Sequence, residues 1–368
     1  MQIKALTSAL IKRLFMPQLK DIKRPIIISG PCSAETEEQL MQTAKELKET
    51  GKVDILRAGI WKPRTRPNSF EGVGEVGLKW LIDAGKEVGL PVITEVANAQ
   101  HVELALKAGY TNLWIGARTT VNPFTVQEIA DALQGTEVEL LVKNPINPDI
   151  NLWIGAIERF KNADLKEVHA IHRGFSSFKG EKYRNEPMWE IPIALKAEFP
   201  DIKLICDPSH ICGRRDILKE VSQKAIDLAF DGLMIESHIT PDEAWSDAQQ
   251  QITPSQLNEL LEQLIIREIT TDDENFSASL EDLRGSINQI DRELVELIAR
   301  RMGIAEEIGI FKKEHNITIL QPQRWEEIKR MQLSSGTAKG LSEKFIIKYL
   351  EAIHQESIRH QTAVMNKG

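Results

Sequence analysis

Long apolar runs are missing from this chain of 368 residues, and none approaches the roughly 20 residues that a membrane span needs. The N-terminal stretch MQIKALTSALIKRLFMPQLK is broken by Lys4, Lys12 and Arg13, which excludes the uninterrupted apolar core of a secretory signal. Cysteine is scarce. Cys32, Cys206 and Cys212 are an odd set with no CxxC pair, which argues against a disulfide framework and fits free thiols in a reducing compartment. There is no basic excess either: the net charge of −8 argues against a partner made of nucleic acid. No GxGxxG turn follows the first predicted strand, so the signature of a dinucleotide-binding open sheet is absent. These absences predict a soluble cytoplasmic protein with neither a membrane nor a nucleic-acid partner. The length predicts two domains.

What is present is an alternation. Short apolar runs at Pro25–Gly30, Val53–Gly59, Pro91–Val96, Asn112–Ala117, Val138–Asn144, Val168–Gly174, Ile202–Asp207 and Asp231–Ser237 are separated mostly by helical patterns, such as Thr36–Thr50 and Ala99–Ala108. Near-continuous apolar strands alternating with helices call for a parallel sheet covered on both faces. Eight such units between Pro25 and Ile266 predict a (β/α)8 (TIM) barrel over residues 1–266. Arg267–Ser279 is polar, acidic and aperiodic, which predicts a linker over 267–279. Residues 280–368 read as helices only. Leu280, Leu283, Ile287, Ile290, Leu294, Leu297 and Ile298 recur at helical spacing and continue through Ile304, Ile308 and Phe311. Two further helices are expected at Arg324–Leu333 and Ser342–His360.

In a (β/α)8 barrel, function sits beyond the C-terminal ends of the strands. In chain order those ends supply Cys32, Arg57 with Lys62, Glu95, Arg118, Lys143, His172–Arg173, Asp207 with His210, and Glu236 followed by His238 and Asp247. Each taken alone reads as a surface charge or a helix cap; their shared topological place selects a site. Arg57, Lys62, Arg118, Lys143 and Arg173, with Arg64 and Arg66 close by in sequence, concentrate positive charge in an acidic chain. Such a ring suits phosphate and carboxylate groups, and therefore one or two small phosphorylated acids. The His and carboxylates of the last two strand ends suit a divalent metal. Cys32, in GPCS, reads as a nucleophile, a structural thiol or a soft metal ligand. The ligand role is preferred, because with His210, Glu236 and Asp247 it completes a mixed four-ligand set.

GPCS (Gly30–Ser33), RAGIWKPRTRP (Arg57–Pro67), ITEV (Ile93–Val96), GAR (Gly116–Arg118), VKNP (Val142–Pro145), HRG (His172–Gly174) and DPSH (Asp207–His210) together resemble a known family. It is the 3-deoxy-D-arabino-heptulosonate 7-phosphate (DAHP) synthases, in the beta subclass of type I. The resemblance covers about Pro25 to Ile266. It implies a transferase that condenses phosphoenolpyruvate with erythrose 4-phosphate at a divalent metal ion, manganese or similar, opening the shikimate pathway. It implies that Cys32, His210, Glu236 and Asp247 hold the metal, and that Arg57, Lys62, Arg118, Lys143 and Arg173 bind phosphoenolpyruvate. Arg64 and Thr65 would take erythrose 4-phosphate, with Asp207 near its aldehyde. Lys62, Glu95, Lys143 and Asp207 are the catalytic candidates; Glu95 and Lys143 both stand as candidates to orient the attacking water. The octulosonate phosphate synthases, which use arabinose 5-phosphate, are the nearest alternative. KPRT in place of their Asn-Arg-Ser-type loop favours the heptulosonate reading.

In the tail, Arg301 and Lys312 lie about three turns apart and share a helix face, whereas Arg284 is about 26 Å from Arg301 along the axis. One small ligand could touch both arginines only if Arg284 came from a second chain. Leu280–Gln361, with LEDLRGSINQIDRELVELIARR, EIGIFKK, the Arg324 region and ESIRHQ in order, is similar to the all-helical chorismate mutases. These are intertwined dimers with cross-chain sites. The similarity implies that Arg284, Arg301 and Arg324 bind the carboxylates of chorismate. Lys312 and Gln361 would meet its ether oxygen beside Ser357, making Arg301, Lys312 and Gln361 the catalytic group for prephenate formation. Two positions depart from the pattern: Gln321 where Asp is common, and Trp325 where a Glu contacts the substrate hydroxyl. The expected assembly is a homodimer through the helices, with a higher homo-oligomer left open. With only a short segment ahead of the first strand, chorismate or prephenate in the tail is expected to feed back on the synthase. The rival to this whole reading is an octulosonate-type barrel with a non-catalytic dimerisation or ligand-sensing tail.

Overall fold

The computed structural model of the chain describes residues 25–62, 70–177, 182–268 and 270–366. It divides into two compact units, Met1–Ile269 and Thr270–Gly368.

In the first unit, the β-branched and aliphatic runs become eight strands: β1 (Ile26–Gly30), β2 (Ile55–Arg57), β3 (Val92–Val96), β4 (Asn112–Ile115), β5 (Glu139–Lys143), β6 (Glu167–His172), β7 (Leu204–Cys206) and β8 (Gly232–Glu236). They pair in parallel in chain order, and β8 closes the barrel on β1 with Ile26 opposite Gly232 and Gly30 opposite Glu236. Successive strand residues point to opposite faces, so each strand feeds two cores. Ile26, Ile28, Ile55, Ile93, Trp114, Leu141, Ile171, Ile205 and Met234 form one cluster, filling the barrel interior. Their neighbours, such as Ile27, Leu56, Leu113, Leu140 and Leu233, join Leu40, Leu81, Val126, Trp153 and Val221 of the helices in a second, outer core. This double burial is why the strands read as continuous apolar runs rather than alternating ones.

Local chemistry fixes the returns. Asn98, Asn122 and Asp149 cap helix starts through their side chains, and Thr253 forms a capping box with Gln256. At Gly30, φ is +146° and a Cβ would stand 2.0 Å from the Arg57 carbonyl oxygen, so only glycine lets the chain leave β1 this way. That exit delivers Cys32.

The second unit consists of helices Glu274–Glu314, Pro322–Ala338 and Glu343–Asn366. The expected linker 267–279 is corrected at its C-terminal half. Asp273 accepts hydrogen bonds from the backbone N–H groups of Asn275 and Phe276, starting the helix at Glu274. Its first turns are exposed, so they carry no apolar period for the sequence to show. Met302, Ala305 and Gly309 of the long helix are buried, as are Ile346, Leu350 and Ile353 of the last helix, which packs on it. A Cβ at Gly309 would press on Val364 and Gln361, which fixes a close approach there. Leu283, Ile287, Ile290, Leu294 and Leu297 stay exposed along one row. Among the described residues, no helix is long and apolar enough to cross a membrane.

Candidate active sites in the two domains

The floor of the barrel mouth is built from buried ions. Arg57, at the end of β2, is 1% exposed and lies over the Trp114 ring, 4.8 Å from its centroid. Its guanidinium donates to the Cys32 carbonyl at 3.1 Å and stands 3.2 Å from Glu236 Oε1. Lys62 Nζ reaches the same loop, 3.2 Å from the Cys32 carbonyl and 2.9 Å from its Sγ. Burial works against the Lys62 charge, but Cys32 and Glu236 overcome it and raise its pKa. Burial pushes the Cys32 thiol up to about 12, with Glu236 acting in the same direction.

Above this floor, one cavity is lined by Lys62, Arg118, Lys143, Arg173 and Arg184 on the cationic side, with Glu95, His210 and Asp247 among the remaining lining groups. Lys143 Nζ pairs with Asp207 at 2.8 Å, both groups being buried. Asp207 also caps its short helix through the His210 N–H and holds His210 Nδ1 at 2.8 Å. Burial opposes its ionisation, yet His210 and Lys143 hold the Asp207 carboxyl well below its usual range. Burial, helped by Arg184 and Arg118 against Asp207, draws the Arg173 pKa down to about 10. Crowded cations of this kind are relieved by a bound anion. Glu95 accepts from Trp114 Nε1 at 2.9 Å, and its carboxylate lies over Gly116, where a Cβ would collide at 2.1 Å.

The four expected metal ligands come as two pairs. Cys32 Sγ stands 3.3 Å from Asp247 Oδ2, and His210 Nε2 stands 3.9 Å from Glu236 Oε1. Among the described residues, no three His, Cys, Asp or Glu side chains gather into a formed metal cage. Arg57, Lys62 and Arg184 supply the neighbouring positive charge. The donors nevertheless fit a divalent transition metal: a thiol, an imidazole and two carboxylates. Glu236 Oε1 is buried without a hydrogen-bond partner, and Asp207 fixes His210 through Nδ1, leaving Nε2 toward Glu236. A carboxylate orienting a ligating imidazole is a common outer-shell arrangement.

In the helical unit, Arg301 donates to Ser357 Oγ at 2.5 Å, and Gln361, one turn further along the last helix, has a buried Oε1 with no hydrogen-bond partner. Lys312 donates to the Ile319 carbonyl at 2.6 Å, and partial burial lowers its pKa. Arg284 and Arg324 instead pair with their own helix neighbours, Glu281 and Glu327. Trp325 stacks on His354 with ring centroids 4.1 Å apart.

The DAHP synthetase I family matches residues 20–271, the span that carries this mouth. The chain belongs to that family. The chorismate mutase type II family matches residues 283–362. A phospho-2-dehydro-3-deoxyheptonate aldolase of Thermotoga maritima is 33% identical over 65% of this chain and 68% of its own length. A 2-dehydro-3-deoxyphosphooctonate aldolase of Desulfotalea psychrophila is 25% identical over 65% of this chain and 88% of its own. A solved Thermotoga maritima DAHP synthase superposes with a TM-score of 0.60 at 29% identity, covering 67% of this chain and 70% of that one. Its truncated form gives 0.58 at 27% identity, covering 67% and 88%. The chain thus joins a DAHP synthase domain, a transferase, to a chorismate mutase domain, an isomerase, both of the shikimate pathway.

Within the synthase mouth, the structure brings Lys62, Glu95, Arg118, Lys143, Arg173, His210 and Asp247 to one cavity. It places Arg57 and Glu236 beneath them and Asp207 behind Lys143 and His210. Arg64 and Thr65 lie outside the described residues. Sequence reasoning missed Arg184, which bonds Asp247 Oδ1 at 2.9 Å and Gln250 Oε1 at 2.7 Å. It also missed Asn185, which accepts from Arg173 and donates to the His210 carbonyl. Both sit well past β6 and return to the mouth through the Phe175–Glu186 bridge, a tertiary pairing with no local signature.

Proposed function

We propose that the barrel condenses phosphoenolpyruvate with erythrose 4-phosphate to DAHP and inorganic phosphate, with a divalent metal held by Cys32, His210, Glu236 and Asp247. The observation that carries this is the single cavity edged by Lys62, Arg118, Lys143, Arg173 and Arg184 in a chain of net charge −8. Such a ring can seat the phosphate and carboxylate of phosphoenolpyruvate and turn its C3 toward the aldehyde carbon, where the new bond forms. Water then adds at C2, and phosphate leaves from the same carbon. Lys143 is committed to Asp207, whereas Glu95 presents a carboxylate fixed by Trp114 at the cavity wall, so Glu95 is our choice to orient that water. The bound metal would polarise the aldehyde carbonyl. The test is consumption of phosphoenolpyruvate with erythrose 4-phosphate or arabinose 5-phosphate, with and without chelator. Turnover with the four-carbon sugar alone, lost with chelator, is expected. Equal use of arabinose 5-phosphate would move the barrel to the octulosonate class, and chelator resistance would remove the metal.

For the helical domain, the proposal is conversion of chorismate to prephenate in a homodimer. Arg301, Ser357 and Gln361 already stand together, while Arg284 lies far along the exposed apolar row and would enter a partner's site. Fixing one substrate conformer and balancing charge at the breaking ether bond would be the protein's contribution. We further propose that prephenate or chorismate bound there restrains the synthase. Inhibition of phosphoenolpyruvate consumption by prephenate that Arg301→Ala abolishes would support this; undiminished inhibition in that variant would refute it.

A further inference from the structure

The loop that carries Asp247 holds this residue at φ +47°, a left-handed conformation uncommon outside glycine and sustained here by the surrounding contacts. Arg184 and Arg215 hold this loop from one side, and further contacts come from the loop after β1. Ser33 Oγ meets Ser246 Oγ at 2.6 Å, and Gln251 accepts from the Cys32 N–H at 2.8 Å. Another of these contacts belongs to Glu35, which is 5% exposed. Its Oε1 accepts the Trp245 N–H at 2.7 Å, two residues before Asp247, and its Oε2 faces His238 Nε2 at 3.4 Å. His238 is itself buried and two residues past Glu236. Its Nδ1 accepts from the Thr240 N–H at 2.9 Å, which leaves the ring proton on Nε2, directed at Glu35. One buried carboxylate therefore ties the loop bearing Cys32 to the start and the middle of the loop bearing Asp247.

We propose that Glu35 and His238 are positioning residues for the metal site: a buried carboxylate–imidazole latch that sets Asp247 beside Cys32. Glu35 holds the backbone turn, and His238 holds Glu35. Neither touches the ion. This inference rests on the metal reading given above, and the experiment separates the two.

Cobalt(II) is titrated into the full-length protein, following both the visible d–d bands and the thiolate-to-cobalt charge-transfer band. Glu35→Ala should weaken binding by about 10- to 100-fold, the usual effect of losing an outer-shell partner. It should also shift the d–d bands while leaving the Cys32 charge-transfer band. His238→Leu should act in the same direction, and His238→Gln, which restores a donor to Glu35, should recover most of the affinity. In an Asp247→Ala background, Glu35→Ala should add nothing, because its effect passes through Asp247. Wild-type affinity and spectrum in both Glu35→Ala and His238→Leu would overturn the latch. So would losses that add in the double variant, which would mark a purely structural role. Should Glu35→Ala lose its fold by circular dichroism, His238→Leu and its Gln counterpart decide. Wild-type protein that takes up no cobalt, or a charge-transfer band that survives Cys32→Ala, would instead overturn the metal reading itself.

Discussion

Two pairs of cations, one pair in each domain, are held in opposite ways. In the barrel, Arg57 and Lys143 have side chains 1% and 5% exposed, each against a carboxylate with none. In the helical domain, Arg284 and Arg324 have side chains 62% and 59% exposed and pair only along their own helices. Apolar residues follow the same division: Ile26, Ile28 and Leu141 are sealed inside the barrel, whereas Leu283 and Leu294 are 64% and 49% exposed. A buried ion fixed by a counter-ion belongs to a site that one chain finishes by itself. Arg284 lies next to Leu283, in a row of exposed leucines and isoleucines of the kind that marks an interaction surface. On the functions proposed above, the contrast sets a synthase site built within one chain against a mutase site that a second copy would complete.

The largest effect expected from breaking this contrast lies in the barrel. Lys143→Met leaves Asp207 charged and half-paired in a dry place, so it should cost about 3–5 kcal/mol of barrel stability, seen as a lowered denaturation midpoint, and remove synthase turnover. Cys32→Ala should likewise abolish chelator-sensitive condensation while sparing prephenate formation. Next comes Arg301→Ala, which removes a paired cation from the helical site. Mutase kcat/KM should fall about 10²- to 10³-fold with basal phosphoenolpyruvate consumption intact. A joint loss of both activities would show the domains to be less separable than the contrast claims. Ile290→Glu with Leu294→Glu should convert a dimer into monomers, read by light scattering, since each side chain brings about 1.5–3 kcal/mol when buried. A variant of unchanged mass would detach the apolar row from assembly.

The effect of pH is spread over several units and leaves neutral conditions untouched. Burial, with Lys203 and Arg173 respectively adding to it, lowers His169 to about 4 and His172 to about 3, from an ordinary value of 6.5. The unfolded chain therefore binds protons that the folded barrel refuses. The stability of this arrangement is complete above pH 6.5 and is lost as pH falls to about 4 for His169 and about 3 for His172, by about 1 kcal/mol per histidine per unit. His172 sits among Trp153, Phe175, Trp189 and Phe230, so His172→Phe should be tolerated and should flatten the slope of the thermal midpoint between pH 6.5 and 4.

Much of this was legible in the residues, for definite reasons. Strands buried on both faces announce themselves as apolar runs, and a barrel sends every strand end to one rim. Lys62, Glu95, Lys143 and Asp247 could therefore be named together before any coordinates. Depth was not legible. Arg57 is the last residue of β2 and is buried in the floor against Glu236, whereas Arg118 sits in the short helix Ala117–Thr120 after β4 and lines the cavity. Arg184, Asn185, Gln250 and Gln251 were invisible for another reason: long-range bridges, Phe175 to Glu186 and Ser237 to Ile252, bring their loops back to the rim. The helix start at Glu274 was hidden because an exposed first turn needs a cap and not an apolar stripe.

The Arg57–Glu236 pair under the cavity has a consequence for temperature. Both ions have surrendered their water, and the free energy of that surrender shrinks on warming, because ion hydration carries a strongly negative entropy. Contacts made by the surrounding isoleucines gain little over the same range. Heat therefore lowers the cost of keeping this pair dry, so warming should weaken the Arg57–Glu236 floor less than it weakens exposed ion pairs.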